Sequence, residues 1–382
     1  MLNLKNINIA VFAIAVLSLG MGIGRFIYTP ILPVMLREGI FTLDELSYIA
    51  SSNYAGYLFG SLFFSFGKLG NTSRTSFMLY GSALATSLLI LAMGFIDNFF
   101  LAMFVRFFAG IASAGMMIFG SVMVLYYTSN VKIVASLYAG VGVGILLGNE
   151  YVVSGLNYNF DARNLWLGGS SISAVLLLML FILVPHDIKQ SKSDISACPE
   201  NNDIVWWQLA LLYGLAGFGY IIIATYLPFM TETLDDPVLT DHLWSLVGLG
   251  IIPSCYIWLW AGNRWGIVRC LTINLIIQAI CVLLILSHES VTLLLVSCIG
   301  FGATFMGTTS LVMPLAKRLY VPANINLLGL VTLTYGIGQI LGPLLTTILL
   351  KAHPGTIAPA VICGALALFL AAGICQFCRL KE

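Results

Sequence analysis

The sequence predicts an all-α integral membrane protein of twelve transmembrane helices in two pseudo-symmetric six-helix bundles. Three observations carry that expectation. Hydrophobic residues make up 59% of the 382 and charged ones 9%, against roughly 25% charged in a soluble domain. Twelve spans of about 20 mainly apolar residues would use about 240, close to what the apolar fraction supplies. Finally, the chain echoes itself about 195 residues downstream. Gly22, Gly24, Pro33 and Met35 in GMGIGRFIYTPILPVM return as Gly217, Gly219, Pro228 and Met230 in LAGFGYIIIATYLPFM. Gly67 and Arg74 in GKLGNTSR return as Gly262 and Arg269 in GNRWGIVR. Gly142, Gly144 and Gly148 in GVGILLG return as Gly336, Gly338 and Gly342 in GIGQILG, one residue out of frame.

Apolar runs between polar punctuation place the first six spans near residues 7–36, 46–66, 75–96, 98–127, 133–157 and 164–185. The opening run, Ile7 to Leu36, is too long for a signal peptide and lacks the usual small-residue cleavage site, so it is expected to stay as a span. The second six fall near 205–231, 242–261, 266–287, 290–316, 324–350 and 356–378. Between the sets lies HDIKQSKSDISACPENND, rich in Ser, Asn and charge and without a helical apolar period. The expected organisation is therefore an N-terminal bundle over 1–185, a cytoplasmic linker over 186–204 and a C-terminal bundle over 205–382.

Lys and Arg accumulate on the cytoplasmic side of short loops. With the N-terminus inside, Lys5, Lys68, Arg74, Lys132, Lys189, Lys192, Arg264, Arg269, Lys317, Arg318, Arg379 and Lys381 fall inside, and only Arg37, Arg163 and Lys351 outside. Both termini are thus expected in the cytoplasm. A net charge of +1 offers no concentrated basic face for nucleic acid. The cysteines sit mostly in apolar stretches, where a thiol acts as a small hydrophobe, and no disulfide framework is read. Cys375 and Cys378 form a lone CxxC without a second ligand pair. No nucleophile with its base, metal cluster or cofactor motif stands inside the spans, so neither an enzyme nor a cofactor is expected. The GxGxxG-like strings follow no strand, which argues against nucleotide binding. They suit close helix packing instead.

GMGIGRFIYTPILPVM resembles the signature of the YbfB/YjiJ-type bacterial branch of the major facilitator superfamily, and the resemblance spans the whole chain. Arg106, Gly110 and Ala114 in RFFAGIASA are similar to that superfamily's fourth-helix arginine motif. Phe64 and Asn263 stand where its two cytoplasmic loops normally carry an acid, leaving Gly60, Gly67 and Lys68 in one and Arg264 and Gly266 in the other. A Gly-Pro pair, associated in the superfamily with exchange, stands at Gly342-Pro343; the fifth span has Gly148-Asn149. The resemblance implies the major facilitator fold, a central cavity lined by spans one, four, seven and ten, and rocking of one bundle against the other. It also implies a proton-coupling role for Arg106. Membrane halves meeting at a polar interface are the usual build of a secondary transporter.

Arg25, Arg106 and Glu150 lie well inside spans. Each costs about 2.5–3.5 kcal/mol at a helix centre, so each should face a cavity or a partner. Helical rise puts Arg25 roughly 24 Å above an inner boundary near Ile9, Glu150 roughly 25 Å above one near Ile133, and Arg106 roughly 12 Å below an outer boundary near Asn98. A carboxylate beside a guanidinium would serve as a coupling device: because arginine stays charged, protonation of Glu150 would free an arginine for an anionic substrate. A static ion pair, or Glu150 at the outer mouth, are the bland alternatives.

The repeat counterpart of Arg25 is Tyr220, although the surrounding Gly, Pro and Met pattern is kept; packing needs the pattern, not the charge. Tyr28 and Thr29, three and four residues on, fall on the face of Arg25 in a regular helix. Pro30 and Pro33 remove backbone donors, and either kink the helix or free carbonyls to act as ligands. In the second half the candidate substrate ligands are Tyr220, Thr304, Thr308, Tyr335 and Gln339. Any of them would alternatively be interhelical glue worth about 0.6 kcal/mol. Gln339 replaces Ile145 of the first half, and Asn53 is a further polar candidate.

The expected protein is thus a monomeric secondary transporter of the bacterial inner membrane, proton-coupled, moving a small polar organic solute of negative charge, since two buried arginines outnumber one carboxylate. Efflux of hydrophobic drug-like compounds through a cavity of Phe26, Tyr28, Tyr220 and Tyr335 is the competing transport reading. A non-transporting membrane solute sensor is the competitor from another class.

Overall fold

The computed structural model describes residues 4–65, 72–128, 130–183, 204–231, 237–287, 290–319, 327–353 and 355–379. The hydrophilic segment 186–204, apart from Ile204, and the loop residues Gly67 and Lys68 lie outside them. Among the described residues the chain is helical and has no strand. The first span is built from α1 (Leu4–Leu17), a π-helical turn (Ser18–Ile23) and α2 (Tyr28–Arg37). Spans two to six are α3 (Leu43–Ser65), α4 (Thr72–Met93), α5 (Phe99–Tyr127), α6 (Val131–Asn157) and α7 (Ala162–Ile182). Spans seven to twelve are α8 (Trp206–Thr231), α9 (Pro237–Trp265), α10 (Ile267–Leu284), α11 (Val291–Arg318), α12 (Leu327–Ala352) and α13 (Ala358–Arg379).

Among the described residues, eleven spans are long and apolar enough to cross a bilayer by length and composition. The twelfth, α3, opens on Asp44 and Glu45, and its start is fixed by a capping box: Thr42 N–H donates to Glu45 Oε2 at 2.8 Å and Glu45 N–H to Thr42 Oγ1 at 3.3 Å. Asn98, Asn130, Asp161 and Ser290 cap α5, α6, α7 and α11 by accepting from Leu101, Lys132, Asn164 and Leu293, satisfying helix-end donors for which lipid has no acceptor. Gly266, at φ +88°, makes the break between α9 and α10, a conformation open to glycine at little cost.

The two halves pack alike. The first span lies on α6 as α8 lies on α12; α3 pairs with α5 as α9 does with α11; α4 pairs with α7 as α10 does with α13. The echoed glycines hold these contacts. A Cβ on Gly144 would stand 2.7 Å from Gly22 Cα, and one on Gly338 would stand 2.2 Å from the Gly214 carbonyl oxygen. The halves meet along two equivalent seams, α6 on α9 and α3 on α12. Gly142 and Gly336, another echoed pair, sit on them: a Cβ at Gly142 would meet the Gly248 carbonyl at 2.5 Å, and one at Gly336 would meet Leu58 at 2.8 Å.

Call the end where α1 begins and α13 finishes the near end. Among the described residues, side-chain bonds between the halves concentrate towards the far end: Thr29 Oγ1 donates to the Ala224 carbonyl at 2.7 Å, Tyr226 to Ser47 Oγ at 2.6 Å, and Lys351 Nζ pairs with Asp44 at 3.1 Å, while at the near end the Ser136 and Tyr256 hydroxyls meet at 2.9 Å. Between α6 and α9 a cleft of about 600 Å³ opens at the near end, lined by Lys132, Tyr256 and Trp260, whereas the far-end hollow around Asn149 and Trp244 holds about 70 Å³.

Candidate functional site

Proline chemistry shapes the first span. Pro30 has no N–H for the Phe26 carbonyl, and Thr29 N–H takes that carbonyl at 3.2 Å. The Arg25 carbonyl thereby loses Thr29, its regular helical partner. Upstream, Gly24 N–H reaches Leu19 and Phe26 N–H reaches Met21, the wide bonds of a π-turn. Arg106, on α5, fills the gap: Nη1 donates to the Gly24 carbonyl at 3.2 Å and Nη2 to the Arg25 carbonyl at 3.1 Å. Its guanidinium rests on the Tyr28 ring, 5.0 Å from the centroid. Asn53 on α3 braces the same place by donating to the Arg106 carbonyl at 2.9 Å.

Arg25 itself has no such partners. It is 2% exposed, and its Nε, Nη1 and Nη2 are three of the nine buried side-chain polar atoms without a hydrogen bond among the described residues. Aromatic faces surround it: Cζ lies 4.6 Å from the Tyr57 centroid, 4.8 Å from Tyr54 and 5.6 Å from Phe26. Cation–π attraction contributes about 2 kcal/mol when desolvated, but rings leave the in-plane N–H fork without acceptors. Tyr54 is itself tied across the halves. Thr225 gives its proton to the Ile221 carbonyl at 2.7 Å, so Tyr54 is the donor in their 2.8 Å bond.

From Phe26 a run of rings crosses into the second half. Phe26 meets Phe305 edge-on at 5.7 Å, Phe305 stacks on Tyr220 at 4.6 Å, Tyr220 on Tyr335 at 5.5 Å, and Tyr335 on Tyr213 at 4.1 Å. Gln339 Nε2 bonds the Tyr220 hydroxyl, while Gln339 Oε1 is buried without a partner. Arg25 lies within electrostatic reach of both the Tyr220 and Tyr335 hydroxyls.

The structure thus brings Arg25, Tyr220, Tyr335 and Gln339 into one neighbourhood and directs the other candidates elsewhere. Tyr28 donates to the Leu46 carbonyl at 2.8 Å, and Thr29 to Ala224; the broken helix between Arg25 and Tyr28 removes the shared face a regular helix would supply. Thr308 donates to Asn274 Oδ1 on α10 at 2.7 Å, and Thr304 back to Gly300 at 2.8 Å, both the behaviour of interhelical or intrahelical glue. The expected meeting of Glu150 with an arginine does not occur. Glu150 Oε1 is 2.8 Å from His242 Nδ1 and accepts from Ser245 Oγ, both on α9. Its side chain is 42% exposed, since α6 turns it to the seam at the far end while Arg106 is committed to backbone carbonyls. Beside it Asn149 Nδ2 donates to the Asp241 carbonyl at 2.7 Å and to Ser245 Oγ at 2.9 Å.

Sequence reasoning missed Tyr54, Tyr57, Tyr213, Phe305 and the Asn149–His242–Ser245 group. Tyr54 and Tyr57, three apart on α3, share a helical face with Asn53 nearby and were the one available signal. No pattern within a span reveals a partner on another span.

With this geometry established, the chain can be compared with known proteins. The family described as "Uncharacterised MFS-type transporter YbfB" matches residues 17–376. A gentisate transporter of Corynebacterium glutamicum is 24% identical over 94% of this chain and 85% of its own length. The crystal structure of the nucleoside transporter NupG, as a D323A mutant, superposes with a TM-score of 0.68 at 14% identity, covering 98% of both chains. That last likeness bears on the fold alone.

Proposed function

The chain belongs to the YbfB-type family of major facilitator superfamily transporters, and from that premise we propose that it carries a small organic anion, a carboxylate, across the cytoplasmic membrane by alternating access coupled to protons. The observation that carries this reading is Arg25, a permanently charged group with three buried and unpartnered nitrogens. A carboxylate is the natural complement, since it accepts two parallel bonds from one guanidinium. Charge left unmet in low dielectric is costly, so a bound anion would repay what the empty site leaves unsatisfied. The gentisate relative supports the sign and the aromatic surroundings, gentisate being an aromatic carboxylate.

Arg25 is the anion ligand in this reading, with Tyr220, Tyr335 and Gln339 beside it. Tyr28, Thr29, Thr304, Thr308 and Arg106 hold the framework around them. Glu150 is the proton-sensitive group, acting through His242 and Ser245 across the seam, with Asp241 and Arg37 the neighbouring charges at that end. The bias of basic residues supports a cytoplasmic near end. The domain division at 186–204 belongs to the same proposal.

Purified protein in liposomes with an imposed pH gradient tests it. Benzoate and short aliphatic carboxylates should accumulate, and Arg25→Gln should abolish accumulation while the protein remains folded. Efflux of hydrophobic drug-like compounds, the second reading that the aromatic run favours, would overturn it if it survived in Arg25→Gln and no anion moved.

A further inference from the structure

We propose that the ligand is a flat aromatic carboxylate bearing a hydroxyl on the side of the ring remote from the carboxylate, and that Gln339 is the residue that reads this hydroxyl. The inference rests on Arg25 as the anion ligand and adds the shape and second polar group of the substrate. Two sets of unsatisfied atoms define it. Arg25 offers donors from the first half, and Gln339 Oε1 offers an acceptor from the second. A molecule that satisfies both carries an acceptor at one end and a donor at the other.

The surface between these ends is aromatic and ordered. Tyr220 lies 10° from the plane of Tyr335 and 21° from that of Phe305, and Phe301 lies 2° from Phe305. Near-parallel rings of this kind favour another flat ring by offset stacking. Gln339 is fully buried, and the equivalent place in the first half is filled by the apolar Ile145. Its Nε2 bonds the Tyr220 hydroxyl, and its Oε1 is left without a partner. An ortho hydroxyl, beside the carboxylate and bonded to it internally, cannot serve both ends; a meta or para hydroxyl can.

The test measures KM in proteoliposomes for benzoate, for ortho-, meta- and para-hydroxybenzoate, for meta- and para-methoxybenzoate and for cyclohexanecarboxylate. The meta or para hydroxy compound should bind about tenfold or more tightly than benzoate, the difference expected when a buried acceptor gains its donor. The matching methoxy compound, which cannot donate, should gain nothing. In Gln339→Met the hydroxybenzoate-to-benzoate ratio should fall to about one, a ratio taken within one protein so that loss of folded material cancels. Equal affinity for hydroxy and methoxy compounds, or an unchanged ratio in Gln339→Met, would overturn the role of Gln339. Preference for cyclohexanecarboxylate would overturn the planar ligand while leaving Arg25 as anion ligand. Carboxylate binding that persists undiminished in Arg25→Gln would instead sink the underlying assignment.

Discussion

Two arginines of the same charge and burial are set apart by what their N–H groups reach. Arg106 spends its fork on the Gly24 and Arg25 carbonyls, so it acts as a brace. Arg106→Ala should leave those carbonyls buried and unpaired, lowering stability by about 1–3 kcal/mol, read as a lower Tm in detergent with or without ligand. Arg25 makes no such bonds, and Arg25→Gln should leave Tm nearly unchanged or raise it while weakening carboxylate binding by about tenfold to hundredfold, the usual loss for a hydrogen bond to a charged group. The contrast between the two Tm values separates a brace from a ligand group. Charge and depth made both positions legible in the sequence; only the partner atoms, contributed by other helices, assign them different work.

At the scale of the element, the first span shows how one missing N–H propagates. Pro30 displaces Thr29 N–H onto Phe26, the Arg25 carbonyl is orphaned, and Arg106 arrives to meet it. Pro30→Ala should restore a regular donor and lessen the need for Arg106. The cost of Arg106→Ala should therefore be smaller in the Pro30→Ala background, with a coupling on the order of 1 kcal/mol in a double-mutant cycle of thermal stability. The prolines announced a weak point in the helix, but the expectation that Tyr28 and Thr29 share a face with Arg25 assumed a helix that this weak point interrupts. The echoed glycines behave more simply. Gly144→Val would drive a side chain into the backbone of Gly22, and should prevent accumulation of folded protein in the membrane. Gly81→Ala, which meets no neighbouring atom within 4 Å, should not.

At the scale of the whole molecule, each seam carries an acid from the first half facing a base from the second at the far end: Glu150 with His242, and Asp44 with Lys351. An exposed pair such as Lys351–Asp44 is screened by water and contributes little, so it biases the far end without locking it. Glu150→Gln keeps a hydrogen-bonding group for Ser245 and removes the charge. If Glu150 carries the transported proton, substrate flux in that variant should continue down its own gradient but lose its response to an imposed pH gradient, as a pH-sensitive dye inside the liposomes would report. Breaking both pairs together, Glu150→Gln with Lys351→Met, should loosen the far end, seen as faster thiol labelling of a cysteine placed at Val152.

Twelve spans, their order and the doubling of the fold were already written in composition and in the recurrence of Gly22, Gly142 and Gly144, because burying a helix in lipid demands apolar length and close packing demands small residues at fixed intervals. Those demands are local and periodic, so a single strand of text records them. The ring of Tyr54 and Tyr57 around Arg25, the diversion of Thr308 to Asn274 on α10, and the meeting of Glu150 with His242 rather than with an arginine depend on contacts between residues tens of positions apart. Such contacts leave no period in the sequence, and they appear when the spans pack against one another.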